Sequence, residues 1–168
     1  MNKRIRQYIG LISAIAAYYI VHEGAHLIYA LITGAFKRIN IMGLGVQIDI
    51  YSDKINDFQL GAFCLVGSLA TLALAYALVS LADVICRIRS KVARAIGYYV
   101  TIAMLLIDPL YLSVLCGFFG GGDMNGIQLL LNGVIVRIGY GALLILNVIL
   151  FVKIVLPKYK ASFADDRR

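Results

Sequence analysis

Apolar residues fill four long stretches of this chain, roughly 8–33, 59–82, 97–118 and 127–152, and charged residues gather at their ends. A bilayer needs about 20 residues of apolar helix to be crossed, so the pattern predicts four membrane-spanning helices. Between the first two stretches the pattern changes. In "RINIMGLGVQIDIY" the apolar residues Ile39, Ile41, Val46, Ile48 and Ile50 alternate with Asn40, Gln47 and Asp49 around a glycine-containing centre. Period-two alternation around a turn predicts a short β-hairpin over about 39–50. The expected fold is an all-α polytopic membrane protein, with this hairpin between its first two helices. No linker or repeat divides the chain, so residues 1–168 read as one domain.

Composition agrees. Only 15% of residues are charged, against about 25% in soluble domains. The net charge of +7 raises the question of nucleic acid. The basic residues form no stripe interleaved with aromatics, however, and no nucleic-acid partner is expected. They flank the apolar stretches instead: Lys3, Arg4 and Arg6 before the first, Arg87, Arg89, Lys91 and Arg94 after the second, and Lys153, Lys158 and Lys160 after the fourth. All three clusters fall on one side if both termini are cytoplasmic, which predicts a multi-pass protein of the cell membrane. The first stretch is too long for a signal-peptide core and is read as retained. Cys64, Cys86 and Cys116 are odd in number and define no disulfide framework.

Within the first stretch stands "HEGAH", residues 22–26. It contains the only two histidines and the only glutamate of the chain. Ionisable side chains at membrane depth are costly and point to function. His22 and His26, four residues apart, share one face of a helix and can reach one ion. Glu23 lies about 100° round from His22, where its carboxylate can take a proton from an activated water. The expected cofactor is zinc. A catalytic zinc takes three protein ligands. The extended soluble pattern would place Gly at 29 and His at 32, where Tyr29 and Ile32 stand. The third ligand is then an aspartate or, as the weaker choice, a cysteine such as Cys64 or Cys116.

Depth favours Asp123. Counted from Tyr8, His22 and His26 stand about 21 and 27 Å up the helix, in its outer half. Asp123, in "GGGDMNGI", opens the fourth stretch from that side, where it also suits a helix N-cap. Asp108 lies nearer the middle, about 16 Å above Gly97. It is expected to pair with Arg137 at similar depth in the fourth span.

Together these residues resemble the site-2 protease family of intramembrane zinc metalloproteases. HEGAH matches the family's HExxH in full. "GGDMNG" is similar to its later Asp-Gly element, and "GSLAT" at 67–71 looks like its Gly-Pro-Leu-Ala-Asn helix, with serine for proline and threonine for asparagine. The resemblance runs over about residues 18–131. It implies His22, His26 and Asp123 as zinc ligands, Glu23 as general base, and Asn125 as a residue that holds substrate near the metal. It also implies that the hairpin offers an edge to an unwound substrate strand, and that small residues around 61–70 let helices approach or separate.

The expected function is hydrolysis of peptide bonds in or near transmembrane segments of membrane-protein substrates, within the lipid bilayer. The alternative is a non-catalytic zinc-binding scaffold or chaperone that recognises membrane helices. A purely structural site has no need of Glu23. A metal transporter ranks third, because the chain lacks paired polar spans.

Overall fold

A computed structural model describes residues 2–43, 45–118, 120 and 122–165. Leu44 of the expected hairpin segment and Gly121 of the GGGD run lie outside the described residues. In chain order the elements are helix α1 (Lys3–Ile32), strands β1 (Phe36–Met42) and β2 (Gly45–Ile50), and helices α2 (Asp57–Ser80), α3 (Ala82–Cys86), α4 (Lys91–Ser113), α5 (Gly122–Ile127), α6 (Gly133–Leu150) and α7 (Leu156–Asp165). Helix α6 runs through a π-helical turn, Phe151–Val155, into α7. Four helices are long and apolar enough to cross a membrane: Lys3–Ile32, Asp57–Ser80, Lys91–Ser113 and Gly133–Ala164. The β1–β2 hairpin is antiparallel and pairs Ile39 with Ile48 and Ile41 with Val46. Four spans and an intervening hairpin are thus the architecture expected from the hydropathy pattern.

The helix ends differ from the apolar stretches because capping groups, and not hydropathy, set them. Helix α1 begins at Lys3, where the Asn2 side chain accepts from the Arg4 amide. Helix α2 opens with a reciprocal capping box between Asn56 and Gln59. Ser90 accepts from the Ala93 amide to start α4, and Asn132 accepts from the Val134 amide to start α6. Helix α1 ends in a Schellman arrangement, with Ala35 N–H donating to the Ala30 carbonyl and Gly34 N–H to that of Leu31. Gly34 takes the left-handed φ of 68° that this motif demands.

Helix α4 is central and packs against α1, α2 and α6. One buried apolar cluster, including Ile48, Phe63, Leu112, Met124 and Ile127, ties the hairpin, α2, α4 and α5 together. A second, including Ala14, Met104, Leu105 and Val155, joins α1, α4 and the end of the fourth span. Large exposed side chains such as Ile20, Ile28, Ile32 and Ile138 face outward, as a lipid-facing surface requires.

Pro109 sits inside α4. It has no amide N–H to give to the carbonyl four residues earlier, that of Leu105. Buried Asn147 of α6 fills the gap: its Nδ2 donates to the Leu105 carbonyl at 2.7 Å, and its Oδ1 accepts from the Tyr76 hydroxyl at 3.0 Å. Asn147→Leu strands both partners in an apolar interior. It is expected to lower stability by about 1–2 kcal/mol, read as an earlier unfolding midpoint in an SDS titration. An unchanged midpoint would mean the carbonyl finds another donor.

Two expectations are corrected. Asp123 does not open the fourth span but belongs to α5, a separate short helix docked on α2. The docking is close because Gly126 has no side chain: a Cβ there would lie 2.3 Å from Cys64 Sγ. The chain then turns and restarts as a helix at the Asn132 cap. Second, among the described residues no ion pair joins Asp108 to Arg137. Asp108 is buried towards α1 and α2, whereas Arg137 is exposed with its guanidinium near Gly117. Equal depth did not mean a shared direction round the helices.

Candidate metal centre

His22 and His26 are buried one turn apart on α1, with Nε2 atoms 3.2 Å from each other. Asp123 comes to them from α5, 101 residues beyond His22. Its Oδ2 lies 3.2 Å from His22 Nε2 and its Oδ1 3.7 Å from His26 Nε2. One donor atom from each of the three residues lies within 4.8 Å of the others. Burial raises the carboxyl pKa of Asp123. Hydrogen bonding to the two imidazoles and their positive charge lower it by more, and it settles at about 2. The group is an ionised carboxylate at neutral pH.

The far ring nitrogens are held separately. His26 Nδ1 donates to the Phe63 carbonyl at 2.8 Å. His22 Nδ1 stands 3.4 Å from both oxygens of Asp108. Because each Nδ1 has its own acceptor, loss of the Nε2 protons leaves both Nε2 atoms presenting lone pairs. In that state two lone pairs and a carboxylate face one point, and a cation can take the place of the displaced protons. The donor set of two imidazoles and one carboxylate, with room for a further ligand, fits a catalytic-type divalent transition metal.

Helix α2 closes the floor of the site at Gly67. A Cβ built there would stand 2.5 Å from His26 Nε2 and 2.9 Å from His22 Nε2. The small residue is what lets α2 lie directly beneath the imidazoles. The rest of the GSLAT segment serves the same surroundings. Thr71 Oγ1 donates to Asp108 Oδ2, the Tyr18 hydroxyl donates to Asp108 Oδ1 at 2.5 Å, and Ser68 Oγ and the Tyr140 hydroxyl are 2.6 Å apart. The Tyr18 ring stacks on His22 with centroids 5.2 Å apart.

Glu23 is half-buried and does not join the three donors. It lines a cavity of about 530 Å³ together with Tyr18, His22, His26, Asp108 and Asp123. The wall opposite is β2: residues Gly45–Ile48 line the same cavity, and the Glu23 carboxylate lies beside the Ile48 backbone. Among the described residues strand β2 pairs with β1 alone, in a two-stranded sheet. Asn125 is not brought to the cavity. It is exposed on α5, about 200° round the helix from Asp123. Cys64 is buried against Gly126 and Cys116 donates to the Leu112 carbonyl, so neither joins the cluster.

Sequence reasoning missed the support that Asp108, Thr71, Tyr18 and the Phe63 carbonyl give the histidines. Thr71 lay in the GSLAT segment already singled out, and Tyr18 carried a local signal in its position four residues before His22 on the same helical face. Compared with family models, curated proteins and solved structures, the chain gives no match.

Proposed function

We propose that the protein is an intramembrane zinc metalloprotease that hydrolyses peptide bonds in or near membrane-spanning segments of other proteins. The observation that carries this reading is the convergence of His22 Nε2, His26 Nε2 and the Asp123 carboxylate on one point, with Glu23 on the wall of the adjoining cavity. A divalent ion held by these three residues supplies Lewis acidity, which favours deprotonation of water and polarises a carbonyl. Glu23 accepts a proton from the attacking water as its oxygen bonds to the carbonyl carbon. It then gives that proton to the leaving nitrogen as the C–N bond breaks, yielding a carboxylic acid and an amine. Asp108, fixed by Tyr18 and Thr71, keeps the His22 ring turned with Nε2 towards the cavity.

A helical substrate hides its carbonyls in its own hydrogen bonds and must unwind before water can attack. The edge of β2 left unpaired by β1 gives an unwound segment a strand to pair with, on the wall facing Glu23. By the distribution of basic residues, both termini are cytoplasmic and the site opens towards the outer side of the cell membrane.

The test compares membranes carrying the parent with membranes carrying His26→Ala, by sequencing new N-termini of membrane proteins. New termini within or beside apolar segments are expected with the parent alone. They should vanish with a chelator and return with zinc. One metal per chain and no new termini would leave the metal-binding scaffold as the better reading.

A further inference from the structure

The second large cavity, about 610 Å³, lies at the opposite end of the spans, between the start of α1, the start of α4 and the last helix, α7. Arg6 on its wall is 16 residues before His22, or about 24 Å along the helix, so the cavity is separate from the metal centre. The three basic clusters, distant in sequence, meet here. Lys3 and Arg6 from the first, Lys91 from the second and Lys160 from the third line the cavity, and no acidic side chain does so among the described residues. The positive-inside tendency places such charges on one side of a membrane, but it does not gather them round one hollow.

Two further features favour an anion. Helices α1 and α4 both begin at this cavity, so the positive ends of two long helix dipoles point towards it. Neither has an acidic residue in its first turn. The walls deeper towards the spans are apolar and aromatic, with Tyr98, Tyr99 and Leu156. Arg6 is already held in place, its guanidinium 4.9 Å from the centre of the Phe163 ring. A cationic mouth above an apolar wall, at the level where a span leaves the lipid, matches a phosphate joined to a glycerol and its acyl chains.

We propose that this cavity is a binding site for the headgroup of an anionic phospholipid. Lys3, Arg6 and Lys160 hold the phosphate, and Tyr98 and Leu156 pack against the glycerol and the top of an acyl chain.

The test uses the purified full chain in neutral detergent, with three probes: phosphatidylglycerol, phosphatidylcholine and inorganic phosphate. Native mass spectrometry counts bound lipid, and the thermal midpoint gives apparent affinity. One phosphatidylglycerol per chain and a raised midpoint are expected, with no such effect from phosphatidylcholine. The triple variant Lys3→Gln/Arg6→Gln/Lys160→Gln should weaken phosphatidylglycerol binding by at least about tenfold. A control, Lys37→Gln/Arg38→Gln/Lys54→Gln, removes equal charge around the hairpin and should bind as the parent does. If the first triple variant does not fold, Lys3→Gln and Lys160→Gln are measured singly and each should weaken binding. Equal loss in the two triple variants would reduce the effect to net charge and overturn the site. Equal binding of both lipids would overturn it too. A midpoint shift from inorganic phosphate as large as that from the lipid would assign the cavity to a soluble anion instead.

Discussion

Glu23→Gln is expected to leave one metal bound per chain and to slow peptide hydrolysis by about a hundred- to ten-thousandfold, the usual worth of a positioned general base. The two effects separate because Glu23 stands outside the three-donor cluster while sharing its cavity. Glutamine keeps the size of the side chain and its packing beside Ile48, but cannot accept the proton of the attacking water. The measurement is metal content and single-turnover cleavage on the same preparation, with a substrate found from the new N-termini. Retained cleavage within a few-fold of the parent would place the base elsewhere. Loss of metal along with activity would make Glu23 a ligand, contrary to the geometry.

The second large effect comes from a residue with no side chain. Gly67→Ala puts a methyl group 2.5 Å from His26 Nε2 and 2.9 Å from both Nε2 and Cε1 of His22. Those are the faces that the imidazoles present to a cation, and the rings cannot retreat without giving up the Phe63 carbonyl and Asp108. Loss of a single supporting contact at a metal site typically costs 10–100-fold in affinity. Obstruction of two ligands together should exceed about a hundredfold, measured by competition with a chelator of known affinity. Gly24→Ala is the matched control. It lies on α1 between the histidines, a Cβ there meets nothing within 4 Å, and metal affinity should not change. Parental affinity in Gly67→Ala would show that the ion, if bound, sits away from this pair.

Much of this was legible in the sequence because it is written in short-range patterns. Apolar runs of bilayer length mark the spans. Alternation at Ile39–Ile50 marks the hairpin, and the four-residue spacing puts His22 and His26 on one face. Depth alone was enough to bring Asp123 to them. Other features depend on direction, which a single sequence does not encode. Asp108 and Arg137 share a depth but point to different neighbours, so the expected pair does not form. Asp108 instead reaches Tyr18, Thr71 and His22. Likewise, α5 docks closely on α2 because Gly126 packs on Cys64, a tertiary contact with no local signature. Asn125 was placed by likeness to a motif, and the turn of α5 carries it away from the cavity.

The three donors are far apart in order of synthesis. His22 and His26 enter the bilayer with the first span, whereas Asp123 is translated 101 residues after His22. At ordinary elongation rates that is a delay of about 5–20 s, during which two imidazoles wait in lipid without their carboxylate. The growing chain therefore reaches the membrane with an incomplete cradle. If the three residues hold a metal as proposed, its loading belongs to the end of biogenesis, after α5 has settled onto α2, and a ribosome stalled before that point leaves a chain without its third donor.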